Sequence, residues 1–378
     1  MKILWFIENL SLGGQQTQSI NLIKRIREAK KFEIDVLYFN DGPLHGQFKD
    51  ACSSLTHLTD LKKGGYKNPL NIIKAIRKYY KYLCKNKYDV VLSNGIISFG
   101  LSSIMKLIFS FKHVRLLGGP LKDIEPTYEK YLHNILPFHK NLDIAFGWPG
   151  KNVVERKRYG KKLILFNHAV DTKMFFIKDK EVKENIRKKY LIKDYEIVIG
   201  WVGRIASNME IKNTIKLGGE LKKRNICNFK ILIVGGGSWE DGMFDLIERE
   251  GIKDHCIYLG WQPMELIPNL FQAMDIVPLL DDDPVGGSII REAMACGSLI
   301  VSVDGISKAQ SEWIINNHNG LLVSDTNYIQ ETANIVEDYI LNEKSKYNLM
   351  CVNGARYAKI EMSFIKQAEI IVKGMLND

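Results

Sequence analysis

The feature that most constrains the fold is an alternation, run through twice, of short β-branched apolar segments with amphipathic stretches of helical period. In the first half strands are expected at 3–7, 34–39, 90–93, 114–117, 144–146 and 163–166, with helices between them, the first over about 14–28. Residues 171–194 are polar, charged and poor in strand signal, as a linker with one helix would be. The pattern then restarts with strands at 197–202, 230–234, 256–259, 276–279, 299–301 and 320–323. Helices are expected near 211–223, 244–250, 287–296 and 328–341. Strands that are apolar on both faces belong to parallel sheets covered by helices on each side. Two such units in succession imply two facing Rossmann-like domains with a cleft between them. Ligands of these sheets bind outside the carboxyl ends of the strands.

Length agrees, since 378 residues exceed one ordinary core and suit two domains. A hydrophobic fraction of 46% with 25% charged residues is that of a globular protein. The six cysteines are scattered, without a Cys-x-x-Cys pair or paired histidines, which speaks against a zinc site or a disulfide framework and fits a reducing compartment. Glu8 interrupts the apolar start MKILWFIEN, so this segment reads as a buried strand and not as a signal peptide. No run approaches the roughly 18 apolar residues that span a bilayer. The expected location is cytoplasmic.

The formal net charge is +10, and most of the excess precedes residue 190, in tracts such as 74–87 and 151–162. Lysines interleaved with aromatics suit an anionic membrane surface. The alternative is a solvated helix face. Nucleic acid is the least favoured partner, because no nucleic-acid motif accompanies the charge.

The segment with most chemistry is DDDPVGGSIIREAMACG at 281–297. Acids, a proline and paired glycines run directly into a helix opened by Gly287 and Ser288. Exposed amides at a helix start, beside glycines that permit close approach, form an anion cradle. Glu292, four residues after Ser288, lies on the same side of that helix and can accept two ribose hydroxyls. Upstream, Arg204 and Lys212 follow a strand end and open a helix. Two fixed cations there would neutralise a diphosphate leaving group without a metal; the alternative is two surface charges.

EAMACG at 292–297 followed by SLIVS resembles the signature of glycosyltransferase family 4, retaining enzymes of the GT-B fold. Gly203-Arg204 with Lys212-Asn213 resembles the family's GR…EKG pair, whose Arg and Lys bind the donor diphosphate. LIVGGG at 232–237, containing Gly236, is similar to its strand-then-glycine turn. YLG at 258–260 followed by Trp261 resembles the FLG segment beside the nucleotide base, although a tryptophan after a strand also suits a core. NGLLV at 319–323 matches a further family segment, and NGAR at 353–356 with Ser363-Phe364 resembles the closing helix. In the first half, LGGQ at 12–15 resembles the family's GGAE turn, which places Gly13 and Gly14 against the donor phosphates and acceptor. NHAVD at 167–171 resembles NGVD at the end of the N-terminal sheet.

The sequence departs from the family in three places. The first glutamate of the E-x7-E motif would fall at Pro284, and Asp283, or Asp282, stands nearest to replace it. The histidine expected after the fourth N-terminal strand is absent from LLGGP at 116–120, and Asp123, Glu125 and His133 follow that turn. No Asp-x-Asp metal motif has strand context, so no metal or other cofactor is expected.

The resemblance implies an N-terminal acceptor domain at 1–172, a nucleotide-sugar domain at 173–362, and a closing helix at 363–378 that packs back on the first domain. It implies retention, with Arg204 and Lys212 on the leaving diphosphate and Glu292 on the ribose. The loop amides of Gly286, Gly287, Ser288 and Ile289, with Asp283, hold the sugar. Gly203 and Gly236 line the nucleotide, and Trp261 flanks its base. The expected donor is a UDP- or GDP-sugar, and the acceptor a glycan or lipid-linked saccharide of the cell surface. A soluble sugar phosphate as acceptor, or a non-catalytic binding subunit, are the competing readings.

Overall fold

The computed structural model describes residues 1–30, 32–61, 68–117, 138–147, 159–167, 169–206, 211–280, 289–304, 313–341 and 344–377. The chain divides into two compact units, one of Met1–His168 with Phe364–Asp378 and one of Ala169–Ser363.

Unit 1 is built on a seven-stranded parallel sheet ordered β3-β2-β1-β4-β5-β6-β7. Its strands are β1 (Lys2–Asn9), β2 (Glu33–Asn40), β3 (Ser54–His57), β4 (Val90–Asn94), β5 (Lys112–Leu116), β6 (Ile144–Gly147) and β7 (Leu163–Leu165). The first strand shows why the sheet must be covered on both sides. Ile3, Trp5 and Ile7 enter one buried cluster, while Leu4 and Phe6 enter another on the opposite face. Helices α1 (Gly14–Lys30), α2 (His45–Ala51), α3 (Pro69–Lys85) and α4 (Ile96–Met105) supply those covers. A last helix, α12 (Phe364–Leu376), packs on α1 and lends Ala368, Ile371, Val372 and Met375 to the first of these clusters.

Unit 2 carries a six-stranded parallel sheet ordered β10-β9-β8-β11-β12-β13. Its strands are β8 (Ile197–Val202), β9 (Phe229–Val234), β10 (Cys256–Tyr258), β11 (Ile276–Leu279), β12 (Leu299–Val303) and β13 (Leu321–Val323). The helices between them are α5 (Lys180–Lys189), α6 (Ile211–Lys223), α7 (Glu240–Arg249), α8 (Ile267–Ala273), α9 (Ile289–Ala295), α10 (Tyr328–Leu341) and α11 (Lys344–Glu361). The chain enters and leaves this unit side by side: Val170 bridges Ser363, and its N–H donates to the Met362 carbonyl at 2.7 Å.

Several elements differ from the sequence reading, among them α8, which was not expected. The edge strand β3 was not expected, and α7 begins four residues earlier than its apolar period suggests, at Glu240. Acids at Glu240 and Asp241 occupy its first turn, where the helix dipole favours negative charge.

Unit 1 also buries a histidine. His113 on β5 is wholly inaccessible, stacked on Phe99, with Nε2 2.9 Å from the Ser93 hydroxyl. Burial pushes its imidazole down to about 3, only partly opposed by the Asn141 carbonyl. The folded protein therefore holds it neutral, whereas the unfolded chain takes up a proton below about 6.5. Its contribution is complete above about 6.5 and is lost as pH falls towards 3, by up to about 1.4 kcal/mol per pH unit. The drop in urea midpoint between about pH 7 and 4.5 should shrink in His113→Gln; an unchanged drop would assign acid sensitivity elsewhere.

Candidate active site

In unit 2, β8 has β9 on one side and β11 on the other, so the strand order reverses between β8 and β11. This is the switch point at which open α/β sheets leave a crevice at their carboxyl edge. Arg204 stands two residues beyond β8 and is exposed. The loop that carries it is laced to its neighbours through backbone alone. Gly203 N–H donates to Val234 at 2.9 Å, Ile205 N–H to Gly236 at 3.0 Å, and Gly235 N–H to Gly260 at 2.8 Å. Gly235 sits at φ +124°, where a methyl group would overlap the Gly203 carbonyl oxygen. A methyl on Gly236 would lie 2.6 Å from the Trp261 ring nitrogen and 2.8 Å from a Glu240 carboxylate oxygen. Trp261 therefore lies over this glycine turn, and it is 69% exposed. It is a surface indole at the strand ends and not part of the core.

Lys212 opens the first turn of α6, with its ammonium 4.9 Å from the centre of the Trp239 ring. Trp239 stands between the glycine turn and α7, and its N–H donates to the Ile205 carbonyl at 3.3 Å. One tryptophan thus touches the loop of Arg204 through its backbone and supports Lys212 through its ring. A methyl on Gly242 would run into that ring, so the indole occupies the space a side chain would take. Sequence reasoning missed Trp239; the only signal was its place two residues past the glycine turn. Among the described residues no carboxylate pairs with Arg204 or Lys212. Asn213, next to Lys212, donates its amide to the Leu280 carbonyl, tying α6 to the end of β11 across the switch point.

Glu292 lies in the first turn of α9, the helix that follows β11, and is half-buried. Its neighbour Arg291 is buried over the Trp313 ring at 5.4 Å, and burial draws the guanidinium down to about 10 against the pull of Glu292. Ile289 opens this helix and is 8% exposed. Asp283, Gly286, Gly287 and Ser288, with Asp282 and Pro284, lie outside the described residues. Arg204 and Lys212 after β8 and Glu292 after β11 thus occupy the two sides of one switch point.

Unit 1 repeats the arrangement, its order reversing between β1 and β4. Gly13 and Gly14 follow β1 at the start of α1 and are exposed. A methyl on Gly14 would meet nothing within 4 Å, so neither space nor backbone angle demands glycine there. Behind them Gln16 donates to Asn9 at 2.8 Å, Gln15 donates to Asn94, and Asn94 donates to Ser19 at 2.8 Å. Glu8 accepts from the Ile97 N–H at 2.7 Å and so caps α4; Gly95, at φ +143°, leaves room for that carboxylate. Gly118, Gly119, Pro120, Asp123, Glu125, His133 and His168 lie outside the described residues. Among the described residues no group of three His, Cys, Asp or Glu side chains is placed to hold a metal.

The chain is similar to known proteins in sequence and in fold. Residues 182–356 match the family described as Glycosyl transferases group 1. An uncharacterized glycosyltransferase of Methanocaldococcus jannaschii is 29% identical over 149 residues, 39% of this chain and 37% of that protein. A D-inositol 3-phosphate glycosyltransferase of Stackebrandtia nassauensis is 25% identical over 183 residues, 45% of this chain and 40% of that protein. The chain thus spans well under half the length of these curated relatives. Across its whole length it superposes on HepE of Anabaena, solved in complex with UDP, with a TM-score of 0.79 at 18% identity and 99% of both chains covered. The chain therefore has the GT-B fold, and residues 182–356 of its second unit are similar to the group 1 glycosyl transferases.

Proposed function

We propose that the protein transfers a sugar, with retention, from a nucleotide diphosphate sugar to a glycan or lipid-linked saccharide. The observation that carries this reading is the pair of cations Arg204 and Lys212, without carboxylate partners among the described residues, beside the helix of Glu292 at one switch point. Cations held in place by backbone and indole, at a strand end and a helix start, are prepared for an anion. As the sugar–phosphate bond breaks, negative charge grows on the diphosphate, and these two groups stabilise it where it develops. Glu292 orients the ribose, and Trp261, exposed beside the glycine turn, stacks on the base. The acceptor hydroxyl attacks from the face the diphosphate leaves, giving up its proton to that leaving group. No metal takes part.

A UDP- or GDP-sugar is the proposed donor, and HepE, which shares the fold, has been solved with UDP-glucose. The proposed setting is the cytoplasm, at the inner face of the membrane, in cell-surface polysaccharide synthesis. No described helix is long and apolar enough to cross a membrane. On α3, however, Leu70, Ile73, Arg77 and Tyr80 recur on one exposed stripe flanked by Lys74, Lys78, Lys81 and Lys85, as membrane-surface helices do. A soluble phosphorylated acceptor is the competing reading, favoured by the likeness to a D-inositol 3-phosphate glycosyltransferase.

A thermal-shift panel of UDP, GDP, ADP and their sugars tests the reading. One diphosphate should raise the melting temperature, because a ligand of the folded form alone stabilises it, and chelation of divalent ions should leave the rise unchanged. A flat response to every nucleotide would overturn the proposal.

A further inference from the structure

Between the linker and α11, unit 2 holds a groove of about 690 Å³. Phe175 and Ala295, both buried, form its floor. Around them stand Lys173, Phe176, Ile177, Val352, Arg356 and Lys359. Three of these are apolar side chains left in water: Phe176 is 45% exposed, Ile177 48% and Val352 55%. Three are cations, and among the described residues none of them has an ion pair. Among the described residues no aspartate or glutamate lines the groove. The surface continues along α11, where Leu349, Val352, Arg356 and Lys359 recur every three or four residues on its outer side. This helix is therefore apolar on its outer face as well as where it meets the core, and its outer charge is of one sign.

We propose that this groove binds an anionic phospholipid of a membrane surface, its phosphate held by Lys173, Arg356 and Lys359 and an acyl chain laid along Phe176, Ile177 and Val352. The occupant follows from what each simpler ligand would leave unused. An inorganic phosphate would satisfy the cations and leave the phenyl ring and aliphatic side chains in water. A neutral apolar ligand would cover those side chains and leave three like charges at its edge. An amphiphile with a negative headgroup meets both demands, and lysines beside exposed aromatic and aliphatic side chains are the usual equipment of a protein that rests on such a surface. The site is separate from the α3 stripe of unit 1 and from the strand ends that carry Arg204 and Lys212, so it stands without the sugar-transfer reading.

Flotation of the full chain with phosphatidylglycerol or phosphatidylcholine vesicles tests it, using the native protein, a K173E/R356E/K359E variant and a K74E/R77E/K81E variant that disables α3. Phosphatidylglycerol vesicles should carry the native protein, and phosphatidylcholine vesicles should not. The groove variant should lose about a hundredfold in affinity, since each cation near an anionic surface contributes a factor of about five. A shortened lipid, dihexanoyl phosphatidylglycerol kept monomeric, should raise the melting temperature of the native protein and of the α3 variant but not of the groove variant. Inorganic phosphate at the same concentration should raise none of them. Should the charge reversals disturb folding, F176S/I177S gives the second reading and should bind weakly at any salt concentration. The proposal is overturned if groove variants with native circular dichroism float as the native chain does, or if phosphate alone reproduces the lipid's effect. Nucleotide-induced stabilisation in the same preparations, without lipid, reports on sugar transfer separately.

Discussion

Arg204→Ala and Lys212→Ala are each expected to lower sugar transfer by about 10² to 10³, the cost of removing one fixed group that stabilises developing charge. Neither change should disturb folding. Arg204 is exposed and makes no ion pair among the described residues, and the backbone bonds that hold its loop do not involve its side chain. The Lys212 ammonium lies over an indole and makes no ion pair among the described residues. That contact gives a graded control. Trp239→Leu removes the ring from under the ammonium and should cost about five- to tenfold, the range of a partly shielded cation–π contact. Trp239→Phe should recover most of the loss. Initial rates and the affinity for the free nucleoside diphosphate, measured on variants with native circular dichroism, decide the matter. An Arg204→Ala, Lys212→Ala double variant with more than half the native rate would remove the diphosphate from this place.

The second large effect is on stability. Gly235→Ala is expected to cost more than about 3 kcal/mol, because the left-handed angle and the overlap with the Gly203 carbonyl oxygen both have to be relieved. The turn has no room to give way, being bonded to β8 on one side and to Gly260 on the other. Gly14→Ala is the counterpart. It stands at the start of α1 with open space around it, so its stability should hold or rise by about 0.5 kcal/mol. If Gly14 approaches the donor phosphates, the same variant should transfer sugar more slowly despite its sound fold. Urea midpoints and rates on the two variants separate a glycine needed by the backbone from one needed by a ligand. Equal midpoints for native and Gly235→Ala chains would contradict the packing described here.

Much of the architecture was legible because parallel strands buried on both faces must be apolar without interruption. Ile3–Ile7 and Ile197–Val202 could scarcely be anything else, and they are the inner strands β1 and β8. What escaped had no such signature. Strand β3 is four residues long, sits at the sheet edge and carries Ser54, Thr56 and His57, so no apolar run marks it. The first turn of α7 is acidic and is held by its end charges and by backbone contact, not by an apolar stripe. At the candidate site, Arg204, Lys212 and Glu292 could be assigned to strand ends and helix starts from spacing alone. The exposure of Trp261 could not, since a tryptophan after a strand is equally suited to a core. Trp239 escaped because its partner, Lys212, lies 27 residues away along the chain and meets it only when β8 and β9 pair side by side.

The paired crossing at Val170 and Ser363 means that the second unit is spliced into the first as a closed loop of chain. Unit 1 is consequently finished after unit 2, since α12 can reach its place against α1 only once all of unit 2 has been synthesised. Until then Ile20, Ile23 and their neighbours lack the cover that Ile371 and Met375 provide. Removing α12 would therefore injure unit 1, most of which precedes unit 2 in the chain, and spare unit 2, which lies next to it in sequence.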